Sequence, residues 1–309
     1  MSPPKMPKVG RASAALVTLA LLWHGRPSSF TLQRVSYGQK LAQEGDLLVP
    51  EGRCRGLVML IHGGFWKAGF DRSLEIQVAN YLISQDLCVW NVDYRAVGSG
   101  GGYPQTLSDV SQALAWLGTG EAEGLGVSKD LPLVVVGHSA GGHLAAWLGL
   151  QSLLEDKEQL RPRLVIAQAG VLDFKSAYEA HLGQGAVRDF LDTPLPESCA
   201  SPLLAAANGA VADLLSKPRP DAEKRLSASD PLTLLRRVPP QRWTSEAPAF
   251  GLIHGAEDRI VPPEQSRAFH EAFPGKSVLQ EVPGEGHFEH LQCESRVWSL
   301  AAELIDSYL

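Results

Sequence analysis

Cysteine is scarce in this chain. Cys54, Cys88, Cys199 and Cys293 are its only four in 309 residues, and none of the short paired spacings of a zinc site occurs among them. No metal or redox role is expected of them. Cys88 lies in an apolar run, where a buried thiol is the plain reading, and the spacing supports no particular disulfide. Positive charge is also in deficit: 28 Lys and Arg against 34 Asp and Glu leave a net charge of −6. Nothing therefore draws the chain toward nucleic acid. Internal repeats and long charge runs are absent, which argues against a solenoid. The one apolar stretch near the N-terminus, Ala14 to Trp23, falls well short of the roughly 20 residues of a spanning helix.

What is present is ordinary globular material, 44% apolar and 20% charged. Residues 1–43 carry Lys5, Lys8, Arg11, Arg26, Arg34 and Lys40, with no acid before Glu44. A basic start followed by an apolar run resembles a secretory signal, and an acid-poor leader with Arg and Ser also fits organelle import. An ordinary N-terminal helix or a disordered lead-in fits as well. Residues 1–30 are set apart as this leader and residues 31–309 as the folded unit. The compartment is cytoplasmic if the leader is not a targeting signal, and secretory or organellar otherwise.

From Phe30 onward, strand-like and helix-like stretches alternate. Extended candidates occur at Phe30–Tyr37 and Gly45–Val49. Solid apolar runs at Leu57–Ile61, Leu87–Val92, Pro132–Val136 and Leu164–Ala167 read as buried strands. Helical spacing falls at Arg72–Ser84, in a stretch ending near Leu117, and at Ala140–Leu153. The rhythm breaks between Phe174 and about Trp243, a stretch rich in Ala, Pro, Ser and charge, which reads as a helical cap insertion. It resumes with strand Ala249–Ile253, helix Glu264–Phe273, strand Ser277–Val282 and a last amphipathic helix from about His290 to Leu309. Alternation of this kind predicts an α/β fold, a mostly parallel central sheet with helices on both faces.

Chemistry enters at three places. Gly137-His138-Ser139-Ala140-Gly141 matches G-x-S-x-G, set between a strand and a small-residue helix as that turn requires. Ser139 is the candidate nucleophile. Ala140, just past it, offers a backbone N–H to a developing oxyanion. His62-Gly63-Gly64-Phe65-Trp66 follows an early strand, and Gly63, Gly64 or Phe65 can supply the second donor, with His62 bracing the loop. His287, in the turn Pro283-Gly-Glu-Gly-His-Phe288, is the candidate base. His290 is its nearest rival, expected to belong already to the last helix. His254, His138 and His143 read as packing groups, and His24, His181 and His270 lack context. The acid should fall between nucleophile and base. Asp258, beyond the Gly255 turn, is preferred, with Glu257 as the alternative and Asp173 less favoured. In this arrangement Ser139 attacks a carbonyl, His287 moves its proton, and Asp258 orients the imidazole.

With these residues in place the chain resembles the α/β-hydrolase branch that holds hormone-sensitive-lipase-like carboxylesterases, feruloyl-esterase-like hydrolases and arylformamidases. The resemblance runs from about Leu57 to the C-terminus and includes Asp93-Tyr94-Arg95, Tyr103-Pro104, Asp109-Val110 and Ser227-Ala-Ser-Asp-Pro-Leu232, mainly architectural blocks in that family. His62-Gly-Gly-Phe-Trp66, His287-Phe288-Glu289 and Gly137-His-Ser-Ala-Gly-Gly-His-Leu144 look like arylformamidase versions of these motifs. The resemblance implies an aryl formamide substrate such as N-formylkynurenine, with Phe65 and Trp66 narrowing the acyl side and Phe174, Tyr178 and Phe190 facing the aryl group. It implies no cofactor and no metal, and a small-molecule substrate as the partner. Oligomeric state is left open. The nearest rival is a short-acyl carboxylesterase with the same triad. A prolyl-oligopeptidase-type peptidase and a catalytically dead binding module are further alternatives.

Overall fold

A computed structural model describes residues 29–155, 160–192, 219–273 and 275–309. Eight strands form one sheet: β1 (Phe30–Ser36), β2 (Glu44–Pro50), β3 (Leu57–Ile61), β4 (Cys88–Val92), β5 (Leu133–His138), β6 (Leu164–Gln168), β7 (Ala249–Gly255) and β8 (Ser277–Val282). Their spatial order is β1-β2-β4-β3-β5-β6-β7-β8. The pairs β1–β2 and β2–β4 are antiparallel, and the remaining pairs are parallel.

The solid apolar strands follow from burial on both faces. Along β3, Leu57, Met59 and Ile61 point into one core and Val58 and Leu60 into the other, the two-residue period of a pleated strand. Each fully buried aliphatic side chain of this kind contributes about 1.5–3 kcal/mol. The second core is closed by α1 (Ile76–Ser84), through Val78, Ala79, Leu82 and Ile83, and by the C-terminal helix Arg296–Tyr308, through Val297, Trp298, Ala301 and Ile305. The first core is closed by α2 (Gln105–Trp116) and, past the short α3 (Gly120–Gly124), by α4 (Ala140–Leu154). Nearly every side of α4 is buried, which is why its sequence is apolar all round. At the sheet edge, β8 alternates buried and exposed residues because one of its faces meets water.

Between β6 and β7 lie α5 (Phe174–Glu179), α6 (Ala186–Leu191), α7 (Ala222–Ser229) and α8 (Pro231–Arg237), with no strand among the described residues there. Residues 193–218 of the expected insertion, and 1–28 of the leader, lie outside the described residues. Beyond β7 comes α9 (Glu264–Ala272). The final helix, α10, begins at Arg296 and not near His290. Ser295 caps it by accepting from the Trp298 amide, and a side-chain cap of this type ends the helical pattern upstream. Arg72–Glu75 is a 3₁₀ turn ahead of α1, capped by Asp71. Cys54 and Cys88 pair as a disulfide between the lead into β3 and the start of β4, correcting the reading of Cys88 as a lone buried thiol.

Register then places the site. Ile61 pairs with Gly137, His138 with Gln168, Gln168 with Ile253 and Gly255 with Val282. The loops after β3, β5, β7 and β8 therefore leave the sheet along a single rim. Strand order reverses around β3, since β4 lies on one side of it and β5 on the other, and such a reversal opens a crevice at the carboxyl ends of the strands.

Candidate active site

Ser139 sits at that crevice with φ 58° and ψ −119° at the head of α4. A non-glycine residue at positive φ is uncommon and costly. The turn is held by its surroundings, because the Ser139 amide donates to the Gln168 carbonyl at 2.8 Å. Gly63 lies directly against it. A Cβ on Gly63 would stand 3.0 Å from Ser139 Cβ and 3.0 Å from the His138 carbonyl oxygen, so only glycine fits without displacement. Among the described residues, the amides of Gly63, Gly64, Phe65 and Ala140 donate to no protein acceptor. Those of Gly63 and Ala140 flank Ser139 from two loops.

The acid and the imidazole meet across the β7 and β8 loops. His287 Nδ1 lies 2.7 Å from Asp258 Oδ2. Asp258 Oδ1 accepts from the amides of Ile260 at 2.8 Å and Val261 at 2.9 Å. His254 Nε2 approaches Asp258 Oδ2 at 3.3 Å while bonding the Val261 carbonyl. Burial alone would raise the Asp258 pKa, but the bonds from His254 and His287 outweigh it and hold the carboxyl well below the usual carboxylate range. Glu257, the alternative acid, is exposed and accepts from the Gly284 amide at 3.0 Å. Asp173 is engaged as the cap of α5, accepting from Lys175 and Ser176. The Glu257 amide donates to the Glu285 carbonyl, lacing the two loops together.

Neighbouring histidines complete the arrangement. His138 Nε2 bonds the His287 carbonyl at 2.8 Å, so the residue before Ser139 grips the backbone of the loop that carries the imidazole. Burial pushes the His138 pKa down to about 3 and holds the ring neutral. His290 lies in a 3₁₀ turn, fully buried behind His138, and among the described residues neither of its ring nitrogens has a partner. It is Asp258–His287, not His290, that forms the pair. His62 stacks on Tyr94 at 4.3 Å between ring centres, and the Tyr94 hydroxyl donates to the His62 carbonyl. Burial pushes the His62 pKa down to about 4. Arg72 pairs with Asp93, whose carboxyl lies 3.6 Å from His62, so Asp93 and Tyr94 brace the loop that runs from His62 to Trp66.

That loop is strained. Phe65 and Trp66 have φ of 52° and 57°, and each such residue costs on the order of 1–3 kcal/mol. Trp66, Phe174 and Phe190 do not line the opening. They are at most 1% exposed and pack against one another, with ring centres 4.9–5.9 Å apart. Apolar rings gain more from burial together than from facing water, so these three form the back of the wall. Tyr178 is half-buried and stacked on His181. The large apolar ring left open at the site is Phe288, 47% exposed and edge-on to His287 at 5.2 Å.

Sequence reasoning missed the roles of His254 and His138. A faint signal was present, since each is a polar residue in an otherwise apolar stretch, and His254 stands four residues before Asp258.

Together the sheet order, the serine turn and the rim loops define an α/β-hydrolase-fold protein. Solved structures bear this out at the level of fold. Esterase B from Lactobacillus rhamnosis aligns with a TM-score of 0.68 at 20% identity, covering 91% of this chain and 86% of that one. A truncated carbohydrate esterase from gut microbiota aligns at 0.66 and 18% identity, covering 92% and 98%. The chain belongs to the BD-FAE family, whose model matches residues 46–273. It is also similar to esterase LipC of Mycobacterium tuberculosis, 28% identical over 262 residues, or 82% of this chain and 59% of that protein. This chain thus spans about three-fifths of the LipC length.

Proposed function

We propose that the protein is a serine hydrolase that cleaves small carboxylic esters through an acyl-enzyme, with Ser139 as nucleophile, His287 as general base and Asp258 as its orienting acid. One arrangement carries the reading: a serine in a positive-φ turn, touched by Gly63, with His138 just before the serine holding the backbone of a histidine that is bonded to a buried carboxylate. His287 takes the Ser139 proton as the hydroxyl attacks the carbonyl. Its Nδ1–H stays on Asp258, which stabilises the imidazolium. The oxyanion is received by the amides of Ala140 and of Gly63, Gly64 or Phe65. His287 then protonates the leaving alcohol, and water enters by the same route to release the acid. The esterase names among the relatives favour ester over amide as the substrate.

A second reading is an aryl formamide such as N-formylkynurenine, supported by His62-Gly-Gly-Phe-Trp66 and by His287-Phe-Glu289. Phe65, half-buried at the loop, is then the group beside the acyl side, since Trp66 faces inward. The test has two arms. Fluorophosphonate should label the wild type and not Ser139→Ala; labelling that survives the substitution rejects the mechanism. Turnover of p-nitrophenyl acetate with none of N-formylkynurenine selects the esterase, and the reverse selects the formamidase.

A further inference from the structure

The buried ring of His143 joins two segments that the mechanism keeps separate. It lies on α4 one turn past the nucleophile, with its amide donating to the Ser139 carbonyl at 3.2 Å. Trp66 Nε1 approaches His143 Nδ1 at 3.2 Å, and His143 Nε2 approaches the Ser229 carbonyl at 2.9 Å. An indole N–H only donates, so Nδ1 must accept, and the proton must sit on Nε2 and point at Ser229. The tautomer is therefore forced. One turn further along the same face, Trp147 Nε1 donates to the adjacent Ala228 carbonyl at 2.7 Å. Helix α4 thus grips the end of α7 at two successive carbonyls while holding Trp66 with its other ring nitrogen.

Trp66 is where the oxyanion loop needs holding. It and Phe65 occupy left-handed backbone that bulky residues avoid, and relaxation there would swing the Gly63 and Gly64 amides away from Ser139. We propose that His143 is a positioning residue, a two-ended strut that sets the oxyanion loop against Ser139 by tying the Trp66 indole to the Ser229 carbonyl. This rests on the reading of Ser139 as nucleophile. The same strut links the loop to the α7 end of the β6–β7 excursion.

The comparison is among His143→Phe, which keeps a ring but neither bond, His143→Gln, whose amide can accept from Trp66 and donate to Ser229, Trp66→Phe, and the double variant. Active sites are counted by the p-nitrophenol burst from diethyl p-nitrophenyl phosphate, and kcat per counted site is measured on p-nitrophenyl acetate. A misplacement of about 1 Å costs about 100-fold, so kcat per site should fall about 10- to 100-fold in His143→Phe, with KM changed less than about threefold. Affinity for a trifluoromethyl ketone should fall by the same factor as kcat. His143→Gln should restore most of the loss, and the double variant should be no worse than the poorer single one. If His143→Phe does not fold, Trp66→Phe and His143→Gln carry the same test. Unchanged kcat per site in Trp66→Phe, or His143→Gln as impaired as His143→Phe, overturns the strut. A wild type that gives no burst removes the nucleophile reading instead, and that outcome is distinct.

Discussion

The two arms of the proposed site are built by opposite means. The Asp258–His287 arm is held by hydrogen bonds: Asp258 takes two backbone amides and two histidines, and His287 is gripped at its own carbonyl by His138. The arm from His62 to Trp66, proposed to carry the oxyanion donors, is held by packing, with a left-handed Phe65–Trp66 turn wedged among Phe174, Phe190 and His143 and only a few bonds fixing it. A hydrogen-bonded arm gains its precision from the directionality of its bonds, whatever their span in sequence: Asp258 and His287 are 29 positions apart, His138 and His287 149. A packed arm borrows its precision from the shapes of the rings around it, which makes it the more sensitive to changes of side-chain volume.

The largest effect should be common to both arms. Ser139→Ala should lower kcat/KM for p-nitrophenyl acetate by about 10⁴-fold or more, leaving only what the oxyanion donors and binding provide. Next, Asp258→Asn should cost about 10⁴-fold in kcat by releasing the His287 tautomer, while Glu257→Gln should stay within about threefold. A reversed ranking in steady-state assays would move the acid to Glu257 and undo the description of the hydrogen-bonded arm.

The packed arm is probed by Gly183→Ala. Gly183 has φ +58°, and a Cβ there would stand 2.5 Å from the Phe65 ring. The ring must shift, and kcat should fall about tenfold with little change in KM. An unaffected kcat would show that Phe65 is not held from that side. A last effect is on stability rather than on rate. Glu75 lies past the His62–Trp66 loop, buried, with Oε1 lacking a partner among the described residues, and burial pushes its pKa up to about 8. The folded state therefore keeps a proton that the unfolded state releases near pH 4.5, and the wild type loses stability as pH rises from about 4.5 to about 8, by at most about 1.4 kcal/mol per unit. Glu75→Gln should be the more stable form at pH 8, with the gap closing toward pH 5. Urea midpoints at the two pH values check this.

Particular elements show how far the primary structure reaches. Leu57–Ile61 and Leu133–Val136 were legible as buried strands because both faces of each are covered. Ser139 was legible because the turn demands small neighbours at set positions. The start of α10 was not, because the Ser295 cap competes with an amphipathic pattern that runs on upstream of it. Trp66, Phe174 and Phe190 were expected at the opening and lie in the wall, because a ring's identity does not say which way it turns. The Cys54–Cys88 pairing was hidden for a related reason: β3 and β4 are neighbours in the sheet, and the 34-residue separation of the two cysteines carries no sign of it.

The order of apolar runs, the glycine-flanked serine and the placing of an acid and a histidine after late strands were determined by the sequence itself, because local sterics and strand periodicity act over a few residues. Which carboxylate meets the imidazole, which histidines brace the loops and which aromatic rings face inward were decided only by tertiary structure. Those outcomes depend on strand register and on competition for buried space among groups far apart in the chain.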